Sequence, residues 1–421
     1  MAHSIDGYAL DTLRVSECTP TGLWKLRLAF GWTILFALLV GLFAFSWDIQ
    51  WHAAVGRDRT LTMPHLFILG SATVMGLAAL AAVLIETAWA RHSTPVAKSG
   101  TTFAGFFSSS PGAYLVGYGA LDAATSFPID QYWHTLYGID VAIWAPFHVM
   151  LLTGFCICGL GVTYMLVEGA CLAAQRGAKS VARAGYLSAI VALATLMGML
   201  SIFLPEALFT GYISLGKLAF TVYPLLLGAM GTFVLSVAIR ALPGRAVATS
   251  VAVVYVFFGV VNFLIIPSLM TWLLGIEQEH LLPGAPEGSS LAMSWQYPLI
   301  IAAILLDIVT WLARRGEWSW RRINRVMLVA ASVGMSLAAL FYPFFIFSQF
   351  LSTALGYSNL GSDFNIPVTD ASKGVQAAPQ MSMNMTFVVI VVISLLLGVL
   401  GTYGGYRLGG RIGDLMQRKD Q

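Results

Sequence analysis

Long apolar runs, recurring along the whole chain, constrain the fold more than any other feature. A helix that crosses a bilayer needs about 20 mostly apolar residues. Ten such stretches are present, at about 28–51, 65–90, 111–134, 146–173, 184–206, 215–241, 246–275, 296–313, 323–353 and 383–407. Of the 421 residues, 58% are hydrophobic and 10% charged, against about 25% charged in soluble domains. Backbone amides in lipid have to be paired within their own segment or in a closed barrel, so runs of this length predict an all-α fold. The expected architecture is a polytopic transmembrane helix bundle of about ten spans. The third stretch is rich in Gly and Ser and is interrupted by Pro128. It is expected to face other helices rather than lipid.

Charge in the connections gives an independent test of this count, because Lys and Arg gather on the cytoplasmic side. With ten spans and both termini cytoplasmic, the inner segments hold 19 of the 23 basic residues. The outer ones keep only Arg57, Arg59, Lys217 and Lys373. Residues 1–27 are polar and lack the apolar core of a signal peptide, and read as a cytoplasmic N-terminal segment before an uncleaved first anchor. Outer loops at about 277–295 and 354–382 read as solvated caps. The net charge of +3 is small and gives no reason to expect a nucleic-acid partner. Cys156, Cys158 and Cys171 fall in one apolar span and read as small core hydrophobes.

Two segments repeat one pattern. The first carries Asp48, His52 and His65, and the second Asp130, His134 and His148. Each has Asp and His four apart, hence on one helix face, with a Trp (Trp51, Trp133) before the first His. Pro64 and Pro146 stand just before the second His, suited to the first turn of the next helix. Each motif therefore leaves one helix, crosses a short outer connection and re-enters the next. Two nitrogens and one oxygen converge at the outer face, a donor set that suits copper, iron or zinc. A single intramembrane His can instead be a hydrogen-bonded packing residue, but four of the seven His in equivalent places speak for metal. His3, His92 and His280 lack this context and read as solvated.

Bis-histidine haem is the rival reading. Residues 53–64 include Gly56, Arg57, Asp58, Arg59 and Pro64, and residues 135–147 include Gly138, Asp140 and Pro146. Neither is compatible with one continuous lipid-embedded helix, which argues against haem. Other ionisable residues in or near the spans are costly there and tend to be functional or paired. Asp122, eight residues before Asp130, is the candidate for an inner proton path. Asp140 is a further ligand or proton-relay candidate, and Arg57 and Asp58 could orient ligands from outside. Glu86 and Glu168 are expected to snorkel at cytoplasmic ends, and Asp307 to be paired structurally or to act as a relay. Gly401, Gly405, Gly409 and Gly413, four apart, form a bare helix stripe for close packing, and a subunit contact is one place for it.

The two blocks resemble the C subunit of the copper-dependent membrane monooxygenases, the family of particulate methane monooxygenase and ammonia monooxygenase. The likeness covers residues about 45–150. It rests on Asp48, Trp51, His52, Val55, Arg57, Asp58, Thr62 and His65, and on Asp130, His134, Thr135, Asp140, Ala145, Pro146 and His148. It implies copper at Asp48, His52 and His65, and a second copper position at Asp130, His134 and His148. The family has Asn where this chain has Asp130, a change that adds negative charge and would tighten metal binding or favour iron.

On that reading residues 28–175 form a monooxygenase-C-subunit-like, metal-binding four-helix unit, and residues 176–421 an additional six-helix membrane region outside the resemblance. The expected activity is oxidation of a small apolar substrate or ammonia by dioxygen in a bacterial cytoplasmic membrane, with the site toward the periplasm. Asp122 and Asp140 would move protons. Electrons would come from outside, since the sequence has no nicotinamide or flavin fingerprint. Cupredoxin-bearing and other membrane subunits, or further copies of the chain, are the expected partners. The alternative is a non-catalytic copper-binding membrane protein or a metal transporter.

Overall fold

The structure is a computed structural model that describes residues 22–55, 61–137, 143–204, 207, 212–215, 218–281, 297–341 and 385–417. Eleven helices are found among them: α1 (Leu23–Val55), α2 (Met63–Ala90), α3 (Thr94–Ser99), α4 (Pro111–Tyr137), α5 (Pro146–Gln175), α6 (Lys179–Ser201), α7 (Tyr223–Ala241), α8 (Val247–Glu277), α9 (Leu299–Arg315), α10 (Trp320–Phe341) and α11 (Met385–Gln417). Two antiparallel hairpins interrupt them, β1 (Thr101–Phe103) with β2 (Phe107–Ser109), and β3 (Tyr212–Leu215) with β4 (Leu218–Thr221). Every one of the ten apolar stretches meets one long helix, and six helices (α1, α2, α5, α6, α7 and α8) are long and apolar enough to cross a membrane. The chain has the build of a multi-pass membrane protein.

Three details differ from the sequence reading. The sixth stretch starts as a helix at Tyr223 rather than 215, because residues 212–215 pair with residues 218–221. Pro128 does not interrupt the third stretch: it lies inside the continuous helix α4, where it costs one amide donor. That helix also has two faces. One is built of small residues against α5, and the other leaves Tyr118, Leu121 and Tyr132 exposed. Most of the two long outer loops, together with His3, Arg57, Asp58 and Asp140, lies outside the described residues.

Glycine sets the closest approaches. On α4 and α5, a Cβ at Gly161 would stand 2.7 Å from the Gly112 carbonyl oxygen, and one at Gly154 would stand 2.8 Å from the Ala123 nitrogen. Only a bare backbone lets the helices meet at that distance. The α11 stripe works in the same way, with Gly401, Gly405, Gly409 and Gly413 against α7 residues Leu225, Ala229, Phe233 and Val237. It is filled by a helix of the same chain. Cys156 and Cys158 are buried free thiols, Cys158 bonding the Val116 carbonyl across the α4–α5 contact. One cluster of buried apolar side chains runs from Leu28 through Met416. A second joins Trp47, Trp51, Ala54 and Val55 of α1 to Ile266, Met270 and Leu273 of α8.

Candidate metal centre

Helix α1 has 33 residues and is about 50 Å long at 1.5 Å per residue, well beyond a hydrocarbon core of about 30 Å. Asp48 and His52 occupy its last turns. Pro64 is in the first turn of α2, as the sequence leads one to expect, and His65 follows it. Pro146 likewise opens α5 two residues before His148, opposite Asp130 and His134 near the end of α4. Both triads thus straddle a helix end and the next helix start, at the same end of the four helices.

The ligand atoms of Asp48, His52 and His65 all lie within 4.8 Å of one another, and so do those of Asp130, His134 and His148. Asp48 Oδ1 is 3.1 Å from His65 Nε2 and 3.7 Å from His52 Nε2. In the second triad, Asp130 Oδ1 is 3.1 Å from His134 Nε2 and 3.5 Å from His148 Nε2. Both oxygens are shielded from solvent and have no hydrogen-bond partner among the described residues. A buried carboxylate oxygen costs free energy unless a proton or a cation meets it. Two imidazole nitrogens aimed at such an oxygen form an N2O set that fits a transition-metal ion. The residues therefore fit a metal at both triads, and this donor set is compatible with copper, iron or zinc alike. An oxygen 3.1 and 3.7 Å from the two nitrogens of the first triad leaves no slot for a porphyrin plane between them.

The two triads lie within electrostatic reach of each other: His148 acts on Asp48, and His52 and His65 act on Asp130. Aromatic side chains surround them. The His65 ring meets Phe127 edge-on at 6.5 Å, and Phe147 lies between His134 at 5.8 Å and His148 at 4.8 Å. Trp133 packs on Phe147, while Trp51 is fully buried behind the first triad against α8. Trp47 reaches Trp272 on the same helix. Phe127, Phe147 and α8 left no trace in the motif, since none of them repeats between the two blocks.

Asp122 is half-buried on α4, about 12 Å before Asp130 along the axis, and lies near the Cys158 thiol. It is not one of the triad groups. His92 and His280 are exposed, as expected. Asp307 is a structural partner: its carboxylate accepts the Ala248 and Thr249 backbone N–H groups, capping α8.

The expectation for Glu86 and Glu168 is overturned. Glu86 is 1% exposed and accepts two hydrogen bonds from Arg27, at 3.0 and 2.9 Å. Arg27 also stands 3.4 Å from Glu168, and Ser110 donates to Glu168 through its hydroxyl and to Glu86 through its backbone N–H. Both carboxylates are turned toward an arginine counted among the inner-loop charges rather than toward solvent. The signal was present, an arginine one residue before the first apolar stretch and an acid inside the second. The pairing spans 59 positions, so no local pattern joins the two.

No family model, curated protein or solved structure matches this chain.

Proposed function

We propose that this chain is a copper-dependent membrane monooxygenase-like protein, or the metal-binding C-type subunit of one. It would use dioxygen to hydroxylate a small apolar molecule or ammonia. The observation that carries the reading is the duplication: two triads of one Asp and two His, identical in donor set, at one end of four helices and within electrostatic reach of each other. Asp48, His52 and His65 would hold one copper and Asp130, His134 and His148 the other, supplying one-electron redox chemistry toward dioxygen when loaded. The chain's own residues do the rest. Phe127, Phe147 and Trp133 give apolar walls that favour a small uncharged substrate over water. Asp122 is a proton carrier reached from inside the bundle, and Asp140 is its counterpart on the connection between α4 and α5. Electrons come from a separate partner, a cupredoxin-bearing subunit being the expected kind.

The remaining features of the proposal are ten spans, cytoplasmic termini, a bacterial cytoplasmic membrane and triads facing the periplasm. The excess of Lys and Arg in alternate connections supports that orientation. The test is elemental analysis with EPR on anaerobically purified protein, wild type against His52→Ala and His134→Ala, followed by oxygen uptake with an added reductant. Copper in both triads, partly lost in either variant, together with reductant-dependent oxygen consumption is the expected result. Fully loaded protein that never consumes oxygen fails the enzymatic part. Uptake of labelled copper into proteoliposomes, abolished by His52→Ala, would assign the chain to transport instead.

A further inference from the structure

Away from the triads, a cavity of about 350 Å³ opens between the last turn of α7, the first turns of α10 and the second half of α11. Arg240, Arg325, Arg407 and Arg411 line it, and among the described residues Asp414 is the one carboxylate there. Arg240 is already committed. It stacks 3.9 Å over the Trp320 ring, donates to Asn324 Oδ1 at 2.9 Å and stands 3.8 Å from Asp414. Tyr406 donates to the same Asn324 oxygen at 2.8 Å. A rigid floor of paired groups therefore underlies the exposed Arg325, Arg407 and Arg411. The amino end of α10 adds the partial positive charge of a helix start. Such a surplus of positive charge calls for an anion, and planar guanidinium groups match phosphate oxygens two at a time.

The surface leading away from the cavity narrows the class. On α11 the exposed face runs from Leu396 and Leu400 through Tyr403 to Arg407 and Arg411, at spacings of three and four that keep one helix side. On α10 it runs from Arg325 to the exposed Val329 and Val333. Both helices thus pass from arginine to exposed aliphatic side chains within a few turns, the profile of a lipid from headgroup to acyl chain. We infer that this cavity binds the phosphate headgroup of an anionic phospholipid, whose acyl chains lie along the exposed aliphatic faces of α10 and α11. Basic pockets between membrane helices on the cytoplasmic side take such headgroups, and the cavity is at the bundle end opposite the triads. Tyr164 in the second half of α5 donates to the Leu415 carbonyl there. The inference rests on the multi-pass reading and on the orientation proposed above, and is independent of the metal.

The test uses the full-length protein in detergent, titrated with phosphatidylglycerol or phosphatidylcholine and read by native mass spectrometry. Phosphatidylglycerol is expected to be retained in preference to phosphatidylcholine. Arg407→Gln with Arg411→Gln is expected to weaken it roughly 25-fold, at about fivefold for each arginine near a charged surface. Arg314→Gln with Arg315→Gln, outside the cavity, is expected to leave it unchanged. Because a double variant can fail to fold, a second arm uses the wild type alone with an excess of inorganic phosphate. A site that also grips acyl chains keeps its lipid. Displacement by inorganic phosphate would identify a free-phosphate site and overturn the lipid assignment, as would equal retention of the two lipids. Undiminished binding in a folded Arg407→Gln/Arg411→Gln variant would overturn the location.

Discussion

In each triad a single carboxylate oxygen is the point on which both imidazoles converge. The charge on that oxygen, more than its shape, should decide how tightly an ion is held. Asp130→Asn keeps the outline of the side chain and removes the charge. It is expected to weaken metal binding in the second triad by at least the roughly 10–100-fold that groups outside the ligand shell are worth, while the first triad stays loaded, as chelator competition would measure. The ion cluster at the opposite end obeys a harsher rule. Arg27→Met leaves Glu86 and Glu168 facing each other without a cation and is expected to cost about 3–5 kcal/mol, visible as an earlier thermal transition in detergent. Arg27→Met combined with Glu86→Leu should recover part of that loss. The triads were legible in the sequence because Asp and His four apart leave a local, repeated signature. The Arg27–Glu86–Glu168 cluster was not, because its members meet only once three helices have packed.

Helices α4 and α5 carry the second triad between them, and their contact depends on bare backbone. A leucine side chain at Gly161 would have to enter the space held by Gly112 and Val116. Gly161→Leu is therefore expected to push the two helices apart and separate Asp130 from His148. Metal should be lost from the second triad though no ligand is altered, and the first triad should retain it. Elemental analysis paired with EPR distinguishes the two sites. The element boundaries show how far pattern reading reaches. Apolar runs located every long helix, since length in lipid is set by hydropathy alone. The strands 212–215 and 218–221 escaped because Leu218, Ala219 and Phe220 run almost directly into the apolar helix that follows. Pro128 misled in the opposite sense, since a proline inside a long packed helix costs one hydrogen bond but does not end it.

Across the whole molecule, polar chemistry is segregated by end. Two His/Asp triads stand at one end, and the arginine cavity and the Arg27 cluster at the other. Single-cysteine labelling in a background with Cys18 and Cys171 replaced by serine checks the orientation, since the native Cys156 and Cys158 are buried and His92 and His280 are exposed at opposite ends. With an impermeant maleimide, His280→Cys is expected to react in intact cells, and His92→Cys only after the membrane is opened. Labelling of both, or of neither, before permeabilisation would refute the alternation of spans. The role of the later helices was hidden in the sequence, because the α8 side chains that back Trp47 and Trp51 belong to no motif.

That backing has a consequence for biogenesis. The ribosome delivers α1, α2, α4 and α5 first, so all the ligands of both triads are in the bilayer while Ile266, Met270 and Leu273 are still unsynthesised. Until α8 arrives, Trp47 and Trp51 face lipid or water, and the first triad has no rigid wall behind it. The six triad residues are thus all made before the wall that backs Trp47 and Trp51, and the first triad gains its rigid support last.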